Sequence, residues 1–274
     1  MTIEPRAFRH FEHAGWEAIP EQYHRAFGTL TTQTIGPLLD AVRVKSGTKF
    51  LDIATGPGYV AAAAAKRGAT VLGLDFSSKM IEQARQLHSG IEFREGDAEQ
   101  LHLGNGLFDS AVINFGILHL AQPELALREA WRVIRAAGDF AFTVWAKPED
   151  TVGFGIVLRA VESHGDPRVQ LPEGPPFFRF SDPAECIRAL LAAGFESPSL
   201  VKVPQVWRLP AGDTLFHIMK TSTVRTAGLL RRQTPTVLEK ICEAMRAETA
   251  AYCKGDIVEL PMPALIVSAR KPAK

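Results

Sequence analysis

Little in this chain points to unusual stabilisation or to a membrane. There are only three cysteines in 274 residues, Cys186, Cys242 and Cys253, an odd number with no C-x-x-C spacing. They read as reduced thiols in a reducing compartment, which places the expected localisation in the cytoplasm. No set of His, Asp or Glu has convincing metal-ligand spacing, so no metal is expected. The longest uninterrupted apolar run, Tyr59 to Ala65, is far shorter than the ~18 residues that cross a bilayer. The segment MTIEPRAFRHFEH is charged and lacks the apolar centre of a secretory signal. Charge of one sign is also missing: 31 basic side chains face 30 acidic ones, for a formal net charge of +1. An extended nucleic-acid footprint normally shows as a strongly basic face, so nucleic acid and membrane are not expected partners. Internal repeats and low-complexity tracts are absent. The oligomeric state, a homodimer included, stays open.

What is present is an ordinary globular composition, with 46% hydrophobic and 22% charged residues. A chain of this length buries enough surface to need no staples. From Phe50 to Ala146 strands and helices alternate. Lys49 to Ala54 is a short apolar run that stops at Thr55-Gly-Pro-Gly58, as a buried parallel strand should. Tyr59 to Arg67 is an alanine-rich helix ended by Gly68. Thr70 to Asp75 predicts the next strand. Ser77 predicts the cap of a helix whose Met80, Ile81, Ala84 and Leu87 share one face. Further strands are expected at 91–95, 109–114 and 139–145, with a helix over 124–137. This rhythm implies right-handed crossovers and a doubly wound, mostly parallel α/β sheet of Rossmann-like type.

Past Pro148 the rhythm breaks. The expected organisation is an N-terminal helical cap (1–42), a cofactor-binding core (43–147), a connecting arm (148–182) and a closing segment (183–274). The arm is rich in proline and glycine between 165 and 182. The closing segment holds a helix over 182–193, an alternating strand over 200–207, a helical lid at about 213–253 and a last strand over 264–269. Ligands of wound sheets bind outside the carboxyl ends of the strands. The cap and the lid are the helical regions not committed to crossovers, so both are expected to cover that edge.

The informative segment is Leu51-Asp52-Ile53-Ala54-Thr55-Gly56-Pro57-Gly58-Tyr59. Gly56 to Ala61 satisfies the dinucleotide G-x-G-x-x-A pattern, which alone is weak. The charge before it discriminates. A pyrophosphate favours a helix N-terminus, but the Asp52 carboxylate would repel it and attract a ligand with an ammonium and a sulfonium. Glycines at 56 and 58 let such a ligand lie against the backbone. Asp75, at the end of the second strand, can accept both hydroxyls of a ribose. Asp97, after the third, is placed with Ala98 for an adenine amino group. Three carboxylates on successive strand ends outline a nucleoside with a cationic tail and no phosphate, against the alternative of an NAD-type oxidoreductase.

Those residues carry a resemblance. The motifs LDIATGPGY, GLDFSSKMIEQAR, EFREGDAEQL and FDSAVINFGILHL make segment 50–146 similar to class I S-adenosylmethionine-dependent methyltransferases, in the small-molecule branch that includes the ubiquinone and menaquinone biosynthesis enzymes. The C-terminal strand resembles the reversed last strand of that fold. The resemblance implies S-adenosylmethionine as cofactor and S-adenosylhomocysteine as product. It implies that Asp52 and the turn Ala54, Thr55, Gly56, Pro57 and Gly58 hold the methionine part. Asp75 would take the ribose, with Phe76 and Met80 lining the adenine, and Gly96, Asp97 and Ala98 would take the adenine edge. Asn114 and Phe115 would sit beside the methyl group, and Tyr23 would close over the cofactor. Two departures stand out: Ala54 replaces the commoner first glycine, and Arg135-Ala-Ala-Gly138 replaces the usual Lys-Pro-Gly-Gly.

Methyl transfer from a sulfonium is an in-line displacement in which alignment supplies most of the rate, and a base is needed only where the acceptor must lose a proton. His119 is the candidate base, a few residues past the fourth strand; packing or capping is its alternative. Trp16, Trp145, Phe177 and Phe178 are candidates for an aromatic acceptor pocket, and His217, Arg225 and Tyr252 for lid contacts to the acceptor. The Asp/Asn-Pro-Pro-aromatic run of base-amino methyltransferases is missing, and no cysteine lies near the transfer site. A small organic acceptor, methylated on oxygen, nitrogen or carbon, is therefore expected. The alternatives are a binding protein that keeps the pocket without transfer, and an RNA or protein methyltransferase.

Overall fold

The computed structural model describes residues 4–273, and its centre is a seven-stranded twisted sheet. Strands β1 (Lys49–Ile53), β2 (Thr70–Asp75), β3 (Glu92–Glu95), β4 (Phe108–Asn114) and β5 (Ile134–Trp145) run parallel, in the spatial order 3-2-1-4-5. β1 lies innermost of the five because it is apolar on both faces: Phe50, Leu51 and Ile53 are all buried. Beyond β5 the sheet continues through a reversed strand to β6 (Glu196–Val203), which forms its edge. A separate three-stranded antiparallel sheet is built from β7 (Val206–Pro210), β8 (Cys253–Lys254) and β9 (Ile257–Pro261). The reversed strand of the main sheet is β10 (Ala264–Arg270), antiparallel to both β5 and β6.

The helices follow the periodicity. The N-terminal region is α1 (Pro5–Ala18), α2 (Pro20–Thr31) and α3 (Ile35–Ala41), the first two opened by prolines that fit a first helical turn. Around the sheet come α4 (Tyr59–Lys66), α5 (Ser78–Leu87) and α6 (Pro123–Val133). The Ser77 hydroxyl caps α5 by accepting from the Met80 amide at 3.1 Å. α7 (Val152–His164) and α8 (Pro183–Ala192) follow, then α9 (Thr214–Thr221), α10 (Arg225–Arg231) and α11 (Pro235–Thr249). No helix among the described residues is long and apolar enough to cross a membrane.

Three elements differ from expectation. The helix expected to Ala137 stops at Val133, because Ile134 turns extended and pairs with Phe108 of β4. Lys271 Nζ donates to the Trp131 and Ile134 carbonyls at 2.8 Å each, which satisfies acceptors left free at the helix end. The alternating run 200–207 is two strands in different sheets, separated at Pro204, which has no amide hydrogen to continue a ladder. The arm 148–182 contains α7, whose two glycines weaken its helical signal.

The small sheet holds α2 in place. Trp207 of β7 is fully buried, packs on Phe27 at 4.7 Å between ring centroids and donates to the Ala26 carbonyl at 3.0 Å. Gln205 donates to the Leu30 carbonyl at 2.7 Å, and Gln33 exchanges hydrogen bonds with the Val206 backbone.

Candidate active site

From β1 the chain proceeds outward to β2 and β3, then returns to place β4 on the other side of β1. That reversal of order opens a crevice at the carboxyl ends of β1 and β4, where wound sheets take ligands. A cavity lies there, with about 1190 Å³ of free space counting its open mouth. Trp16 of α1, Tyr23, Phe27 and Thr31 of α2, and Ser222 to Thr226, which lead from α9 into α10, line it.

The glycine turn forms the floor. Ala54, Thr55, Gly56 and Pro57 all face the cavity, and a Cβ placed on Gly56 would meet nothing within 4 Å. Asp52, at the end of β1, and Gly58 of the turn do not line it, which corrects their expected direct contact. Asp52 is buried beneath the turn, where one carboxylate oxygen accepts from Thr55 Oγ1 at 2.6 Å and the Ala61 amide at 3.0 Å. It braces the loop against α4. Burial pushes its carboxyl up to about 7, with the neighbouring Asp75 charge acting in the same sense. Gly58 has φ +80°, and a Cβ there would lie 2.7 Å from the Phe93 ring. Its role is close packing of the turn.

Asp75 reaches the cavity at the end of β2. One carboxylate oxygen accepts from the Gly56 amide at 2.9 Å and the other from the Ser77 amide at 2.9 Å. Each oxygen keeps further acceptor capacity. Burial raises this carboxyl to about 6, against the two amides that favour its charged form. Phe76, Met80, Gly96, Asp97 and Ala98 continue the same wall. Asp97 accepts from the Glu99 amide at 2.9 Å and is ion-paired with Arg9 of α1, which also reaches Glu99. Tyr23 stacks on Phe27 at 5.5 Å, and burial pushes its phenol up to about 12.

At the end of β4, Asn114 is pinned by Thr34, Thr143 and the Thr31 carbonyl. Phe115 has φ +55° and Ala54 has φ +53°, so two non-glycine residues adopt left-handed backbone across the crevice. Such a residue costs roughly 1–2 kcal/mol, and the strain clusters where ligands are held. Gly116 lies between them because any Cβ there would come within 2.6 Å of the Ala54 Cβ.

The far end is aromatic. Trp16, Trp145 and Phe177 line it, as does Phe154, with His119 and Arg225 as its titratable groups. Phe178 does not line the cavity; it packs edge-on behind Phe154 and Phe177. His217 is exposed, because Leu215, Phe216 and Met219 occupy the inner face of α9. Tyr252 follows α11, is half-buried against the edge of the core and does not line the cavity. The structure also brings in Glu12, fully buried on α1 beside His119. Its sequence signal is an acid at four-residue spacing between Phe8 and Trp16, on the apolar stripe of an amphipathic helix. Among the described residues there is no cluster of His, Cys, Asp and Glu that could hold a metal.

Comparison with known proteins bears on this geometry. Residues 51–142 match the family model described as a methyltransferase domain. The demethylmenaquinone methyltransferase of Paenarthrobacter aurescens is 33% identical over 111 residues, 40% of this chain and 44% of that protein. The chain spans about half the length of the curated relatives it matches. Among solved structures, the YcgJ protein of Bacillus subtilis aligns with a TM-score of 0.56 at 19% identity, covering 87% of this chain and 98% of that one. A phosphoethanolamine N-methyltransferase from Haemonchus contortus, solved with S-adenosyl-L-methionine, aligns with a TM-score of 0.57 at 16% identity over 97% of this chain and 60% of that one. These structural likenesses show the fold.

Proposed function

From the match of residues 51–142 to a methyltransferase domain, we propose that the protein transfers a methyl group from S-adenosylmethionine to a small organic acceptor. The observation that carries this reading is the pairing of Asp75 and Asp97 on one wall of a capped cavity, at the ends of neighbouring strands. Asp75 has acceptor capacity left on both oxygens for two ribose hydroxyls. Phe76 and Met80 supply apolar surface for the base, and Asp97 with Ala98 supplies its edge. Gly56 leaves the free space that the methionine part needs. The relatives named for quinone methylation favour a small acceptor over a macromolecule. When bound, the cofactor supplies an electrophilic methyl carbon on a good leaving group.

The chain's own residues do the rest. The α1–α2 cap and residues 222–226 exclude water, and the aromatic end aligns an apolar, planar acceptor with the methyl group. His119 faces that end and can take a proton from an acceptor that must lose one. The test is transfer of labelled methyl from S-adenosylmethionine to a panel of small hydroxyl, amine and carbon acceptors. Labelled product from any small acceptor supports the reading. Tight binding of S-adenosylhomocysteine with no transfer to any of them would mark a binding protein instead.

A further inference from the structure

Behind the cavity's far end lies the carboxyl group of Glu12, fully buried and in contact with the lining residues Trp16 and His119. Oε2 accepts from Trp16 Nε1 at 3.1 Å and lies 3.0 Å from His119 Nδ1. Oε1 is buried without a hydrogen-bond partner and lies 3.9 Å from Arg225 Nε. Arg225 is itself anchored, donating to the Leu118 and Pro175 carbonyls and lying over the Phe8 and Phe177 rings. The His119 ring is held edge-to-face by Trp16 at 4.8 Å and Phe177 at 5.9 Å, and it forms part of the cavity wall.

With Glu12 as a carboxylate, which only accepts, the hydrogen between Oε2 and Nδ1 is carried by the imidazole. In the neutral ring Nε2 is then bare, and no protein donor among the described residues engages it. On the methyltransferase reading above, we propose that Glu12 is a positioning residue that fixes His119 in its Nδ1–H form, presenting Nε2 as proton acceptor to a hydroxyl-bearing methyl acceptor. As the acceptor oxygen's electron pair forms the bond to the methyl carbon, the carbon–sulfur pair departs to sulfur and the hydroxyl proton passes to Nε2. The resulting imidazolium is balanced by Glu12, the arrangement in which an acid orients a catalytic histidine. The charged groups about this pair are Arg225 of α10, 3.9 Å from Glu12, and Glu99, which accepts from the amide of Gln122, three residues beyond His119. Arg225 disfavours a cationic acceptor and favours one that develops negative charge.

The experiment is a two-bond proton–nitrogen correlation spectrum of histidine-labelled protein bound to S-adenosylhomocysteine, recorded where the ring is neutral. The expected spectrum of the parent protein shows His119 Nδ1 protonated and Nε2 bare, with a slowly exchanging Nδ1 hydrogen. Glu12→Gln retains an acceptor oxygen and should keep this form, whereas Glu12→Leu should lose it and shift the hydrogen to Nε2. Calorimetry should show that both variants still bind S-adenosylhomocysteine, since Glu12 itself does not line the cavity. A parent spectrum with hydrogen on Nε2 overturns the proposal without any variant. So does an unaltered tautomer in a Glu12→Leu protein that still binds the product. Absence of product binding in the parent would instead overturn the methyltransferase reading itself.

Discussion

Asp75 gives the sharpest test of the cofactor wall. Both of its oxygens already take one backbone amide each, Gly56 at 2.9 Å and Ser77 at 2.9 Å, and the proposed ribose adds one hydroxyl to each. A hydrogen bond to a charged acceptor contributes about 1.5–3 kcal/mol, so losing both should weaken binding by about 3–6 kcal/mol, or roughly 10²–10⁴ in Kd. Asp75→Ala alone is ambiguous, because it also releases the two amides that shape the glycine turn. The clean design varies the ligand as well: S-adenosylhomocysteine and its 2′-deoxy and 3′-deoxy analogues are titrated by calorimetry into parent and Asp75→Ala protein. In the parent each missing hydroxyl should cost about 1.5–3 kcal/mol; in the variant the three ligands should bind alike. A double-mutant logic applies, since the coupling isolates the hydroxyl–carboxylate contact from loop disturbance. If the deoxy analogues lose as much affinity in the variant as in the parent, Asp75 does not hold the ribose.

Other consequences are independent of the ligand. Because burial raises the Asp52 carboxyl from 3.8 to about 7, the folded state binds more protons than the unfolded chain between those values, and stability falls as pH rises through that window. Asp52→Asn keeps an acceptor for Thr55 and Ala61 and removes the titration, so its melting curve should gain on the parent's steadily from pH 4 to 7; parallel curves would contradict the assignment. Gly58→Ala should cost about 1–2 kcal/mol for the left-handed backbone and about 1–3 more for driving a Cβ into Phe93, read from the denaturation midpoint. Arg9→Ala removes the ion pairs from α1 to Asp97 and Glu99. Hydrogen exchange along α1 should then quicken while global stability changes by less than about 1 kcal/mol, and unchanged exchange would show that the cap does not depend on this latch.

How much of this is legible in the sequence depends on the range of the forces involved. The parallel core is legible because β1, β2 and β4 are short apolar runs that stop at a glycine turn, an acid or an amide, and because α5 carries its own cap in Ser77. The wall residues Asp75, Asp97 and Asn114 are legible because strand ends are local features. Asp52 reads as a ligand-facing charge from its place in the motif, yet its two hydrogen bonds turn it under the loop, which only the Thr55 hydroxyl and the Ala61 amide in three dimensions decide. Glu12 illustrates the limit. An acid on an apolar stripe is visible, but its partner His119 lies 107 residues away and meets it only through tertiary packing. The same holds for Phe178, His217 and Tyr252, whose types suit an acceptor pocket but whose neighbours turn them elsewhere.

On the proposed function, this cavity holds S-adenosylmethionine with its methyl group directed toward the aromatic end. A crystal structure of the protein with S-adenosylhomocysteine tests it most directly. Ribose hydroxyls are expected on the Asp75 carboxylate, adenine between Phe76 and Met80 with its amino group at Asp97, and sulfur facing Asn114 and His119. Product bound elsewhere, or bound in the cavity with its adenine at the aromatic end, would contradict it.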